Sequence, residues 1–320
     1  MKKLLLILSF MFASTMTFAN ECEYPCRPVT FVSNVVAGGP SDTIFLRPFA
    51  EFFKRETGQT MIIDYMPSGE GLVQFRHLKA AKPDGYTIGL VRSANAVYKP
   101  VMDTVDYDPV KDITNIAFFV RFPCAIYIHA KNPASSLKEV IANAPEKGLN
   151  VGMSFHGARI LTYIMGSHTK TQLEPIMYPG DAGANTALLG QHLDMVIGTI
   201  GGVPIQMHQS GTFKIIATTG DRRVPSLPNV PTLKELGYNI EQYTFFAVGG
   251  PPNMDPALVK KINTLVNKFV RDAEFQSKIN QDGMFTPTAN NPEDVSRFID
   301  GNIKFWDGFR KKYNIPKVDK

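Results

Sequence analysis

Basic clusters, metal-binding motifs and nucleotide signatures are all missing from this sequence, and each absence removes a class of function. The 34 Lys plus Arg outnumber the 29 Asp plus Glu, for a formal charge of +5. These charges are spread along the chain without a Lys/Arg block, so no nucleic-acid partner is expected. There are only three cysteines, Cys22, Cys26 and Cys124, with no histidine or further cysteine following at ligand spacing. The six histidines (His77, His129, His156, His168, His192 and His208) include no H-E-x-x-H pair, so no metal is expected. No G-x-x-x-x-G-K-S/T occurs, and Gly38-Gly39 lacks the rest of G-x-G-x-x-G, so nucleotide binding has no support and no cofactor is expected. No internal repeat is present. No run of apolar residues reaches the roughly 20 that a membrane-spanning helix needs.

Apolar residues themselves are plentiful: 44% of 320 residues are hydrophobic and 20% charged. A chain of this composition buries enough surface to offset its ordering entropy, and its length suits two domains of roughly 100–200 residues. The N-terminus has the three parts of a secretory signal peptide: Lys2 and Lys3, an apolar run from Leu4 to Phe12, and a small-residue end at Thr17-Phe18-Ala19. Cleavage after Ala19 would start the mature chain at Asn20 and remove two lysines. Cys22 is badly placed for a lipid-anchored start, because Glu21 precedes it. Export permits a disulfide. Cys22 with Cys26 is the first choice on proximity, and either could instead reach Cys124.

Strand and helix patterns alternate along the chain, which indicates an α/β fold with mostly parallel sheets. Strands are read at Val29–Val36, Met61–Asp64, Thr87–Val91, Cys124–His129, Asn150–Ser154, Ile176–Tyr178, Met195–Gly198, Ile215–Thr219 and Tyr243–Val248. Pro48 should kink the helix ending at Gly58 or disturb its first turns. Ser136 to Glu139 and Thr232 to Glu235 have capping-box spacing. Asp255-Pro256 and Asn291-Pro292 open helices with proline at the first helical position. No Ser/Gly-rich linker separates the domains, so the chain leaves one lobe, builds a second and returns. The crossings are placed near Arg121–Ala125 and Asn239–Tyr243. Lobe 1 is then 20–122 plus 243–320, and lobe 2 is 123–242.

Four strand-to-helix turns carry glycine: Ala37–Asp42, Gly152–Arg159, Tyr178–Gly183 and Thr199–Val203. Such turns lie at the carboxyl ends of strands, where ligands bind in open α/β sheets, and helix-start N–H groups suit a carboxylate. Two cradles facing across a cleft would clamp a small acid at both ends. A catalytic alternative is a secreted hydrolase using Ser154, because Gly152-Met153-Ser154-Phe155-His156 is close to a nucleophile elbow. Its second glycine is replaced by His156.

Several ordered motifs carry a family resemblance. Tyr24-Pro25-x-Arg27-Pro28 is followed by Val29-Thr30-Phe31-Val32 and Ala37-Gly38-Gly39-x-x-Asp42. Ala81-x-Pro83-Asp84-Gly85-Tyr86-Thr87 and Tyr107-Asp108-Pro109-Val110-Lys111-Asp112 come next. Tyr178-x-Gly180, Leu188-Leu189-Gly190, Gly211-x-x-Lys214 and Pro228-x-Val230-Pro231-Thr232 complete the series. Together they resemble the Bug family, the periplasmic receptors of tripartite tricarboxylate transporters. The resemblance implies a two-domain, flytrap-like periplasmic-binding-protein fold with no enzymatic activity. Such a protein works as a monomer, closes on a small organic carboxylate and delivers it to the membrane subunits of the transporter; an accessory role in ligand sensing is the other reading. The implied site is Gly38, Gly39, Ser41 and Asp42 on the first loop and Ser154, His156, Gly157, Ala158 and Arg159 on the second, with Tyr178 and Asp181. The family's usual threonine and histidine on the second loop are replaced by Ala158 and Leu161, which makes His156 and Arg159 candidates for compensating contacts. Asp42 is read as both a helix cap and a group holding water beside the ligand. Asp194 is read as fixing a turn.

Overall fold

Val29–Ser33, alternately branched and aromatic, forms the first strand, β1, and is almost wholly buried. The computed structural model describes residues 23–39, 41–281 and 283–317, so the signal-peptide segment and Cys22 lie outside it. β1 pairs in parallel with β2 (Met61–Tyr65) and β3 (Thr87–Arg92). Between them run α1 (Arg47–Thr57) and α2 (Leu72–Ala80). Pro48 sits in the first turn of α1, and the turns before it, Asp42–Leu46, are wound as π-helix. A proline there removes a backbone donor and so loosens the regular ladder. Gly58 closes α1 in the left-handed conformation, φ 72°.

β4 (Thr114–His129) organises the whole molecule. Thr114–Pro123 pairs antiparallel with β9 (Tyr243–Gly250), which also pairs with β3. From Cys124 onward the same strand pairs antiparallel with β7 (Met195–Thr199) and β8 (Phe213–Thr218). Beyond β7 come the parallel strands β5 (Leu149–Met153) and β6 (Leu173–Met177). The parallel pairings therefore lie in the outer strands, and the crossing strands are antiparallel. The first half of β4 escapes sequence patterning because Ile116 to Val120 is buried on both faces, so no alternation shows.

A short hydrogen-bond knot joins Cys124, Thr219 and Gln242 beside the long strands β4 and β9. The Cys124 N–H donates to Thr219 Oγ1 (2.8 Å) and the Thr219 N–H to the Cys124 carbonyl (3.0 Å). Thr219 Oγ1 donates to the Gln242 carbonyl (2.7 Å), while the Gln242 N–H donates back to the Thr219 carbonyl (2.8 Å). Cys124 is free and buried, and burial pushes its thiol up to about 12, so it is an inert neutral packing group. Cys26 is disulfide-bonded, so the alternatives that used Cys124 are excluded.

The remaining helices cover the sheet faces: α3 (Lys99–Met102), α4 (Leu137–Ala142), α5 (His156–Thr169), α6 (Asp181–Leu189) and α7 (Gly202–Gln209), then α8 (Pro256–Val270), α9 (Ala273–Gln281) and α10 (Pro292–Lys312). Asp255 caps α8 through the Ala257 and Leu258 N–H groups, and Asn291 caps α10 through Asp294 N–H. Thr232 and Glu235 form the full reciprocal box, 3.1 and 2.8 Å, yet no helix follows. Around β1 the core is phenylalanine-rich, with Phe49 against Phe31, Phe119 and Phe269 at centroid distances of 6.0, 5.0 and 5.2 Å. No helix of the described residues is long and apolar enough to cross a membrane.

Candidate functional site

All four glycine-bearing turns reach one cleft of about 720 Å³, bordered by elements of both sheets. Ser41 comes from the first turn, Ser154 and Phe155 from the second, Pro179 to Ala182 from the third, and Thr199 to Val203 from the fourth. The floor is the crossing strands. Side chains alternate along a strand, so Phe122, Thr244 and Phe246 face the cleft while Arg121 and Tyr243 face a separate hollow of about 390 Å³ on the other side. Two arginines, Arg121 and Arg222, border that hollow. The Arg121 guanidinium is stacked between the Phe298 and Tyr243 rings, 4.0 and 4.6 Å from their centroids.

Arg92 is the basic side chain on the main cleft wall, at the carboxyl end of β3. Its guanidinium makes no ion pair or hydrogen bond among the described residues, and its buried Nε has no partner. Burial pulls it below the ordinary arginine range while the charge of Asp181 opposes this; an arginine stays cationic through such shifts. Phe246 lies beneath it, 5.2 Å from the guanidinium carbon to the ring centroid. Asp181, the acidic residue of the wall, opens α6 and accepts from the Ser154 hydroxyl and from Thr199 N–H (3.3 Å). Asn34 adds a buried amide oxygen with no partner.

This cleft sits where the strand order turns over at the crossing strands, with three helix starts around it. A family model described as "Tripartite tricarboxylate transporter family receptor" matches residues 45–315. The chain belongs to that family. It is 27% identical over 305 residues, 94% of this chain and 91% of the other, to the "UPF0065 protein in gbd 5'region" of Cupriavidus necator. It is also similar to the solved periplasmic binding protein BugD, at 27% identity and a TM-score of 0.75, covering 93% of this chain and 100% of that one. An R. palustris protein solved with adipate has 24% identity and a TM-score of 0.81, covering 92% of this chain and 100% of the other.

In this tripartite-transporter receptor, three residues of the implied site line the cleft: Ser41, Ser154 and Asp181. The other eight stand off it. The Asp42 side chain is fully buried and accepts from Gly38 N–H (2.7 Å), Arg47 Nε (2.8 Å) and the Tyr65 hydroxyl (2.7 Å). It braces the glycine turn as the first residue of the π-wound segment; the N-cap position belongs to Ser41. Gly38 takes φ 76° to reach that carboxylate, and Gly39 packs on the Val36 carbonyl. α5 begins at His156, so its first turn rotates Gly157 and Ala158 onto the buried face of the helix. A Cβ at Gly157 would sit 2.4 Å from Gln242 Nε2 and 2.6 Å from the Tyr98 ring. Arg159 turns toward Tyr163, 5.9 Å from its ring centroid, and Tyr178 packs on Gly183. Asp194 accepts from Asn150 N–H (2.8 Å), joining β5 to the start of β7.

Sequence reasoning missed Arg92, Asn34, Tyr98, Phe122 and Phe246. Arg92 had a usable signal, since it ends a strand read correctly. Tyr98 had none, because the helical stretch Ala94–Met102 was unread.

Asp42 supplies a pH-dependent test. Burial alone would raise its carboxyl, but Tyr65, Gly38 N–H and Arg47 hold it below the ordinary range. A depressed folded pKa contributes stability that is present above the unfolded value of about 3.9 and is lost as pH falls through the folded one. Asp42→Asn is therefore expected to lower the urea midpoint at pH 7, with the gap to wild type narrowing at pH 3. A constant gap would show that Asp42 titrates alike in both states.

Proposed function

We propose that this receptor captures a small organic carboxylate in the main cleft and hands it, as a monomer, to the membrane subunits of a tripartite tricarboxylate-type transporter. It is made with a signal peptide, residues 1–19, and works in the periplasm after cleavage near Ala19. Lobe 1 comprises 20–122 and 243–320, lobe 2 comprises 123–242, and closure is a hinge motion about the Cys124–Thr219–Gln242 knot. The switch of β4 partners between Pro123 and Cys124 supports this division. The observation that carries the reading is Arg92, a cation without a hydrogen-bond partner on the wall of a cleft reached by all four glycine turns. A buried cation is stabilised by a counter-ion, and the adipate-bound relative shows the fold accommodating an acid.

The receptor is read as non-catalytic. Ser154 donates to the Asp181 carboxylate, whereas an activated serine needs a base such as imidazole to take its proton. Ligand binds only the folded protein, so at 100 times its dissociation constant an acid adds about 2.7 kcal/mol to stability. Thermal unfolding of the mature chain, stripped by unfolding and refolding, is expected to shift upward with at least one of a panel of mono-, di- and tricarboxylates. No shift with any acid, or ester turnover that vanishes in Ser154→Ala, would sink the reading.

A further inference from the structure

The hollow behind the crossing strands holds two cations that the fold leaves without acceptors. Arg121 on β4 and Arg222, just beyond the end of β8, both border it. Neither guanidinium makes a hydrogen bond or an ion pair among the described residues, and the Nε of Arg121 is buried with no partner. Aromatic rings are their only neighbours of note. Arg121 lies 4.0 Å from the Phe298 centroid and 4.6 Å from that of Tyr243, and Arg222 lies 4.9 Å from that of Phe285. Ring faces attract the charge, but they supply no oxygen or nitrogen acceptor to the five N–H donors of a guanidinium. Burial pulls Arg121 below the ordinary arginine range, while Tyr243, Asp221 and Glu241 oppose this; it stays cationic.

The wall that carries Arg121 is fixed by backbone pairing. Its N–H donates to the Phe285 carbonyl (2.8 Å), and the Phe285 N–H donates back to the Arg121 carbonyl (2.9 Å). Thr286 Oγ1 adds a bond to the Phe119 carbonyl (2.9 Å). A hollow built this way is formed before any ligand arrives, which lowers the cost of binding. Two acids also border it, and both are engaged elsewhere. Asp221 accepts from the Tyr243 hydroxyl, and Asp294 accepts from Arg297 (3.0 Å). Their charges remain nearby and repel a dianion more than a monoanion.

We propose that this hollow is a second anion site, separate from the main cleft, which takes a small singly charged carboxylate on the terminal nitrogens of Arg121, with Arg222 attracting it at the rim. The planar guanidinium fork matches a carboxylate with two parallel hydrogen bonds. Such a charge-assisted pair is worth about ten- to a hundredfold in affinity. The site stands independently of carboxylate capture in the cleft, because Arg121 and Tyr243 face away from it.

The test is nuclear magnetic resonance of the arginine Nε–H groups in the ligand-stripped mature chain, titrated with acetate and, at matched ionic strength, with chloride and sulfate. The Arg121 signal is identified by its loss in Arg121→Lys or, should that variant not fold, by its contacts to the Phe298 and Tyr243 ring protons. It is expected to shift saturably with acetate, and to do so equally in Arg92→Gln. Arg222→Gln should weaken acetate at this signal by about two- to fivefold. A signal that acetate leaves unmoved would overturn the site. An equal response to chloride would mean an adventitious ion only and would overturn it too. A response lost in Arg92→Gln would reassign the effect to the main cleft and overturn the second site while supporting capture there. Tighter binding of sulfate would overturn the monoanion class, and unchanged affinity in Arg222→Gln would overturn the part given to that residue.

Discussion

Replacing Lys99 by methionine is expected to lower the free energy of unfolding by about 3–5 kcal/mol, because it strands a buried carboxylate. Lys99 Nζ lies 2.6 Å from Asp103, with 6% and 9% of the two side chains exposed. The second Asp103 oxygen already has no partner. Methionine keeps most of the volume, so the loss reports charge and not a cavity. Lys111→Met is the control. Its partner Asp108 is 3.3 Å away, but the pair is 84% and 42% exposed, and such surface pairs are worth about 0–1 kcal/mol. Urea unfolding of the two variants compares them directly. Equal losses would show that burial does not amplify the Lys99 pair.

Trp306→Ala is expected to cost about 3–5 kcal/mol as well, the usual loss when a large core ring leaves a cavity. Trp306 is fully buried on α10 and meets Tyr98 edge to face at 5.9 Å. Tyr98 in turn lines the cleft and accepts from Gln242 Nε2 (3.1 Å) at the crossing. The substitution should therefore weaken ligand binding in addition to stability, while Trp306→Phe should retain most of both. The Trp306 indole N–H has no partner, so phenylalanine loses area but no hydrogen bond. As the only tryptophan in the chain, Trp306 also gives wild-type fluorescence a reporter one ring away from the cleft. Wild-type-like affinity in a folded Trp306→Ala protein would show that the Tyr98 wall needs no backing.

Much of the fold was legible because its signals are local. Caps at Asp255 and Asn291, the proline positions beside them, and the glycine turns act through neighbours within a few residues. Elements buried on every side were not legible. The first half of β4 has no alternation to read, and Ala94–Met102 is interrupted by Pro100. The site divides in the same way. Ser41, Ser154 and Asp181 lie where a strand ends and a helix begins, and that position is visible in sequence. Gly157 and Ala158 lie only a few residues beyond Ser154, yet the rotation of one helical turn carries them to the buried face.

The sequence by itself determined the α/β alternation, the four turns and the family pattern, because each rests on spacing between near neighbours. Only the tertiary structure decided which side chains share the cleft wall. Arg92, Phe122, Asp181 and Phe246 come from four separate strands or helix starts. Whether an arginine is already paired depends on burial and on partners far away in the chain. Asp42, nearer to the expected loop, is consumed by Arg47 and Tyr65, and Arg92, unremarkable in sequence, is left with its charge facing the cleft.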